Sequence, residues 1–195
     1  MPNEEFALVL DYLPSGRSSA FKPEPLAQVI GTTYFTLLEV IPKKNLQILE
    51  KVYIGKEQRE QVDLIKRRVE YKDLTNTAQQ ELEHAIESII QETPQKYLDF
   101  FNKAGSISIK RHQLELIPGL GKKHVFDILE KRQQKPFESF EDLEQRVHLM
   151  PNAMQSIAKR IMEELQGLDP KHYLFARPPA PPEEQRFDRR PFKRF

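Results

Sequence analysis

The sequence predicts an α+β protein: a small N-terminal antiparallel β-barrel followed by an all-α region of helical hairpins. Three observations carry that expectation. The first 75 residues hold several short apolar runs, rich in β-branched and aromatic residues and of strand length. From Asp73 onward apolar residues recur at helical spacing instead. At residues 116–123 a Pro-Gly-apolar-Gly break separates two such helical stretches. The expected divisions are the barrel over 1–75, linking helices over 76–105, two hairpins over 106–168, and a flexible Pro/Arg-rich tail over 169–195.

Composition narrows the classes. A chain of 195 residues makes one large domain or two small ones, and a net charge of +1 names no partner by itself. The absence of cysteine excludes a disulfide framework and a thiolate metal site, and fits a reducing compartment. No apolar run approaches the ~20 residues of a membrane span, and the acidic, proline-interrupted start is no signal peptide. The expectation is a cytoplasmic monomer with no membrane partner.

In chain order, residues 6–10 (FALVL), 33–41 and 46–54 are the strand candidates, the last stopped by Gly55. Residues 14–19 between the first two are a polar loop, expected to be mobile. Residues 57–71 are ambiguous. Val62, Ile65 and Val69 fit a helix, whereas Ile65, Arg67, Val69 and Tyr71 alternate like a strand. Strands this short and numerous suggest an OB-like barrel. Lys56, Arg59, Lys66, Arg67 and Arg68 gather near Tyr53 and Tyr71 and would suit a secondary nucleic-acid face; a solvated edge is the alternative, because residues 1–75 balance 11 acidic against 11 basic. Next, Thr75 or Thr77 caps a helix with the stripe Leu82, Ala85, Ile86, Ile89 and Ile90. Pro94 opens another, whose Tyr97, Leu98, Phe100 and Phe101 read as core, and Gly105 ends it.

At the break, Pro118 disfavours helix at Ile117, and Gly119 and Gly121 supply turn freedom. The helix that opens at Lys122 starts with amides lacking intrahelical partners, which can grip a phosphate oxygen. Lys122 and Lys123 add charge beside them, and Val125, Ile128 and Leu129 form the apolar side. Residues 106–135 carry seven Lys or Arg, Lys110 and Arg111 among them, against Glu115, Asp127 and Glu130, a local +4. A P-loop needs glycine at Leu116 and Ser or Thr at Lys123, and a dinucleotide fingerprint needs glycine at His124, so both fail. The stretch resembles the helix-hairpin-helix motif, a sequence-independent grip on a nucleic-acid backbone. The resemblance implies that Gly119, Leu120, Gly121 and Lys122 hold one phosphate through backbone amides, with a monovalent cation able to sit between loop carbonyls and phosphate. A packed glycine turn without ligand is the alternative.

Ser139 caps a further helix, and residues 150–154 repeat the hairpin pattern with Asn152, Ala153 and Met154 against Gly119, Leu120 and Gly121. Side chains there obstruct a phosphate and residues 136–168 carry −3, so this hairpin reads as structural. In the tail, Arg186, Arg189, Arg190, Lys193 and Arg194 interleave with Phe187, Phe192 and Phe195, which suits RNA or a ribosomal surface; a solubilising tail is the alternative. The five histidines show no metal-ligand spacing and no catalytic constellation stands out, so the chain reads as a binding protein, with no metal and no organic cofactor.

Across nearly its full length, through Tyr53-Ile54-Gly55-Lys56, Tyr71-Lys72-Asp73-Leu74-Thr75, the hairpin, and residues 135–143 (KPFESFEDL), the chain resembles the DUF655 family, best represented in archaea. That resemblance implies a barrel-like domain ahead of a helix-hairpin-helix domain, nucleic-acid binding, and a setting among ribosome and RNA-modification functions. The leading expectation is a non-enzymatic RNA-binding protein, RNA favoured over DNA, with the ribosome as a further partner. The alternatives are double-stranded DNA binding in repair or recombination, and a protein–protein adaptor that uses the hairpin as packing.

Overall fold

The structure, a computed structural model, describes residues 4–17, 24–109 and 111–179. Lys110, residues 18 and 19 of the polar loop, and Arg189, Arg190 and Arg194 of the tail lie outside the described residues.

A five-stranded antiparallel sheet opens the chain, with β1 Phe6–Leu13, β2 Leu26–Gly31, β3 Leu37–Pro42, β4 Lys51–Tyr53 and β5 Val62–Arg68 in the order β4-β1-β2-β3-β5. The sheet curls into half a barrel without closing. Irregular registers between Val9 and Asp11, Glu39 and Val40, and Ile41 and Pro42 bend it, as bulges do. Alternation divides β1 between two cores. Ala7 and Val9 face the concave side with Val29, Val40, Val52 and Val62, while Leu8 and Leu10 face the helices.

Two expectations about strands are corrected here. Leu26–Gly31 is a strand outside the sequence-predicted candidates, and residues 33–36, expected to open a strand over 33–41, are a turn. The turn exists because the buried Glu4 carboxylate accepts from the backbone N–H groups of Thr33, Tyr34 and Thr36, at 2.9–3.1 Å for its nearer oxygens. Gly31 makes room for it, since a Cβ there would lie 2.1 Å from the Glu4 side chain. The 46–54 candidate shrinks to Lys51–Tyr53, and the ambiguous 57–71 stretch holds strand β5 at Val62–Arg68, with Tyr71 opening a 3-10 turn.

Helix α1 (Asn76–Glu92) crosses the convex face of the sheet, burying Leu82, Ile86 and Ile90. Its N-cap is Thr75, whose hydroxyl accepts from Ala78 N at 3.1 Å and donates to Asp11 of β1 at 2.6 Å. Helix α2 (Pro94–Lys103) buries Tyr97, Leu98 and Phe101. A small ribbon of β6 (Ser106–Ser108) and β7 (Arg111–His112) leads to a 3-10 turn at Gln113–Leu116, then α3 (Lys122–Gln134), α4 (Phe140–Arg146) and α5 (Ala153–Gln166). One apolar cluster runs from Leu8 through α1 and α2 to Ile161 and Ala176, so sheet and hairpins share a core.

Residues 169–179, assigned to the tail from sequence, fold back as a strap with Ala176 buried and Phe175 packed on the core. The cause is Glu164, whose carboxylate accepts from the N–H groups of Leu174, Phe175 and Ala176 at 2.7–3.0 Å.

At the sheet–helix junction the buried Glu39 carboxylate accepts from Arg67 Nε at 2.7 Å, Arg17 Nε at 2.9 Å and Gln28 Nε2 at 3.3 Å. Arg17, within the stretch expected to be mobile, is therefore tied down. Burial pushes the Glu39 carboxyl up, but the hydrogen bonds from Arg67, Arg17 and Gln28 outweigh it and hold the group below its ordinary 4.5. A depressed carboxyl stabilises the fold above its unfolded value and loses that contribution as pH falls through its folded value. Glu39→Gln should lose about 2 kcal/mol at pH 7, discounted because both arginines stay half-solvated. The gap to the parent should narrow below pH 4.5 in urea titrations. A constant gap down to acid would contradict this origin.

Candidate functional site

Pro118 forces Ile117 out of the 3-10 turn into extended backbone (φ −82°, ψ 121°), and Gly119 then turns the chain at φ +87°. Gly121 returns to φ −89°, ψ 172° as N-cap of α3. The two glycines differ in surroundings. A Cβ on Gly119 would sit 3.3 Å from Pro151 Cγ, whereas one on Gly121 meets nothing within 4 Å. Gly119 is thus required by its φ and by the neighbouring hairpin, and Gly121 leaves open space in front of α3.

Leu120 is buried, and its N–H donates to Ile117 O at 3.1 Å. Gly121 N–H donates to His124 Nδ1 at 3.2 Å. Among the described residues, that leaves the N–H groups of Lys122, Lys123 and His124 without an acceptor within the chain, at the positive end of a helix of 13 residues. The amide set therefore shifts along the chain from the expected one, with Leu120 acting as an anchor in the core.

Part of the positive charge is already engaged within the fold. Arg132 donates to the carbonyls of Phe101 and Ala104, both at 2.9 Å, and burial lowers its pKa; it ties α3 to the end of α2. Lys135 pairs with Glu138 at 3.0 Å, and Lys131 stands 4.0 Å from Asp127. Arg111, Lys122 and Lys123 are exposed and have no acidic partner among the described residues. His112 is held partly inside by its bonds to Leu114 and Glu115, and burial followed by Arg132 keeps its pKa below the usual value.

The second hairpin has the opposite chemistry. Asn152 caps α5 by accepting from Gln155 N at 2.9 Å, and the Glu144 carboxylate accepts from Ala153 N at 2.7 Å. A carboxylate of the chain already occupies the place where an anion would bind. The two hairpins are joined by His124, whose Nε2 meets Leu149 O at 3.0 Å, and by Asp127, which accepts from His148 N at 2.7 Å. With Nδ1 accepting from Gly121, the His124 proton resides on Nε2.

Phe126, one turn after Lys122, was not singled out from sequence, yet it is 72% exposed. With Ile109, Arg111, Lys122 and Leu129 it lines a shallow cleft of about 220 Å³ between α3 and the β6–β7 ribbon. The secondary residues on the sheet diverge. Lys56 is exposed, Arg67 is engaged by Glu39, and Arg68 donates to Arg177 O at 2.6 Å on the other side of β5. Among the described residues, no group of three or more His, Asp or Glu could hold a metal, and no helix is long and apolar enough to cross a membrane.

The chain is similar to two archaeal proteins. The chain is 41% identical over 178 residues to the uncharacterized protein MJ0038 of Methanocaldococcus jannaschii, covering 89% of this chain and 80% of that one. It is also similar to the crystal structure of Af1531 from Archaeoglobus fulgidus, a DUF655 protein, with a TM-score of 0.82 and 46% identity over 89% of this chain and 100% of that one. The family model described as protein of unknown function (DUF655) matches residues 3–177, and the chain belongs to that family.

Proposed function

We propose that this protein binds RNA without catalysis, and that its first hairpin is a helix-hairpin-helix grip on the phosphate backbone. The observation that supports the reading is the contrast between two α-helix N-termini in one molecule. At α3 the amides of Lys122, Lys123 and His124 face open space beside two lysines without acidic partners, whereas α5 is closed by Asn152 and Glu144. A phosphate oxygen suits the first site and is repelled from the second. Such a grip reads no base, so it is sequence-independent.

The exposed ring of Phe126 supports a single strand over a duplex. Lys122 and Phe126 are one helical turn apart, so a gripped phosphate and a stacked base can belong to one strand. Stacking tolerates every base, in keeping with a grip that ignores sequence. A role in RNA metabolism, with the ribosome as one setting, is the family-level part of this proposal.

Fluorescence titrations with a short single-stranded RNA and a duplex DNA test it. Lys122→Ala with Lys123→Ala should weaken both ligands about tenfold, and Phe126→Ala should weaken the RNA alone by a similar factor, given ~1–3 kcal/mol per stacked base. For about 3–5 neutralised phosphates, log K for the single strand should fall against log salt with slope near −2 to −3.5. Equal losses for both ligands in Phe126→Ala would remove the case for single strands. A flat salt response would favour the adaptor reading.

A further inference from the structure

Two apolar side chains line the cleft between α3 and the β6–β7 ribbon and yet face water. Phe126 belongs to α3, and Ile109, at the turn of the ribbon, is fully exposed. The fold holds the ribbon out by its base. Gln113 N–H donates to Gly105 O at 3.0 Å, and Gly105 N–H donates to the Gln113 side chain at 2.8 Å. Arg132 of α3 donates to Ala104 O at 2.9 Å, so the ribbon and α3 are tied to the same end of α2. The turn therefore stands at the free end of an anchored ribbon, beside the first turns of α3. Charge around the two apolar side chains is basic. Arg111 and Lys122 line the cleft and form no ion pair among the described residues, and the carboxylate that lines it, Glu115, is engaged by His112 N–H at 2.8 Å. Apolar surface rimmed by cations matches a nucleic acid, whose bases are flat and apolar on their faces and whose backbone is anionic.

We propose that this cleft takes the junction between a paired and an unpaired segment of RNA, with Ile109 capping the last base pair and Phe126 carrying the first unpaired base. The inference rests on the phosphate grip at α3 and names the class of RNA that the grip takes. The two side chains differ in the way a junction requires. The Phe126 ring offers a π face on which a free base stacks whatever its identity. Isoleucine has no such face. A protruding aliphatic side chain acts instead as a wedge, lying against the face of a base pair where the stack is broken. Inside a continuous duplex that wedge must first unstack two pairs, a cost that is absent where the stack already ends. A continuous duplex therefore disfavours the wedge, and a plain single strand leaves it in water. Lys122, on the wall of the same cleft, stands beside the backbone that links the two nucleotides.

Fluorescence titrations of the full chain with three RNAs test the assignment: a stem with an unpaired overhang, a blunt stem, and an unstructured strand. The overhang stem should bind about tenfold more tightly than the unstructured strand, and the blunt stem should bind most weakly. Ile109→Ser should remove most of the advantage of the overhang stem while binding the unstructured strand within about twofold of the parent. Ile109 is fully exposed, so this variant should melt with the parent. Suppose the unstructured strand binds, depends on Lys122 and Lys123, and equals the overhang stem in affinity. The grip then stands and the junction assignment fails. Binding of none of the RNAs removes both. Equal losses for strand and overhang stem in Ile109→Ser would make Ile109 part of a single-strand surface and overturn the proposal. Parental affinity of Ile109→Ser for all three RNAs would overturn it too, and would leave the ribbon turn to a protein partner.

Discussion

Glu164→Ala should destabilise the protein by about 3–4 kcal/mol and release the strap. Glu164 is 2% exposed and Arg160 3%, so the pair is desolvated, and it is joined by Arg160 Nε donating at 2.9 Å. Breaking a buried pair by removing one partner costs ~3–5 kcal/mol, because the remaining charge loses its counterion. Glu163 and Asp169, each 3.5 Å from the Arg160 guanidinium, reduce that figure. The amides of Leu174, Phe175 and Ala176 lose their acceptor at the same time and return to water only if the strap lifts away, which takes Phe175 from its contacts with Tyr97 and Phe100. For a chain of this size the melting temperature should fall by roughly 10 °C. Glu164→Gln, which retains one acceptor oxygen, should lose about half as much. Hydrogen exchange at residues 174–176 should become fast in the alanine variant. A melting temperature within a degree or two of the parent would contradict a docked strap.

The second large effect separates the two glycines of the first hairpin. Gly119→Val should cost about 3 kcal/mol. A β-branched residue at φ +87° is strained by ~1–3 kcal/mol, and its Cβ would press on Pro151 at 3.3 Å. Gly121→Val should stay within about 1 kcal/mol of the parent, because φ −89°, ψ 172° is ordinary extended backbone and the space ahead is open. Binding should behave the other way round. Gly121→Val places two methyl groups in front of the α3 amides and should weaken RNA about tenfold while remaining folded by circular dichroism. If Gly121→Val binds as well as the parent, no phosphate approaches that face. If Gly119→Val is as stable as the parent, the contact between the hairpins is not tight.

These contrasts mark where the sequence was readable. The helix that starts after Thr75 and the one that starts after Ser139 could be placed, because a hydroxyl cap next to a 3.6-residue apolar period is a local signal. The turn at Pro118 and Gly119 was readable for the same reason. Strand β2 was not, since its residues are buried on both faces and show no alternation. The turn at 33–36 looked like strand because its organiser, Glu4, is some 29–32 positions away in sequence. Glu164 resembled an ordinary polar helix position, and the prolines after Arg177 hid a strap held by three amides. Around the hairpin, the sequence supplied the lysines but not their partners. Arg132 and Lys135 proved to be engaged, and the closure of the second hairpin by Glu144 depends on a contact nine positions apart. Phe126 stands between Val125 and Ile128, both buried, and only the docking of α3 shows which of the adjacent apolar residues faces water.

The central claim is that RNA phosphate meets the N-terminal amides of α3. The most direct measurement follows backbone amide resonances by heteronuclear NMR while a short single-stranded RNA is added. Shifts should concentrate at Lys122, Lys123 and His124 and extend to Phe126, and those of Ala153 and Gln155 at the closed hairpin should stay in place. Shifts that spare residues 122–124, or that appear equally at 153–155, would contradict the account.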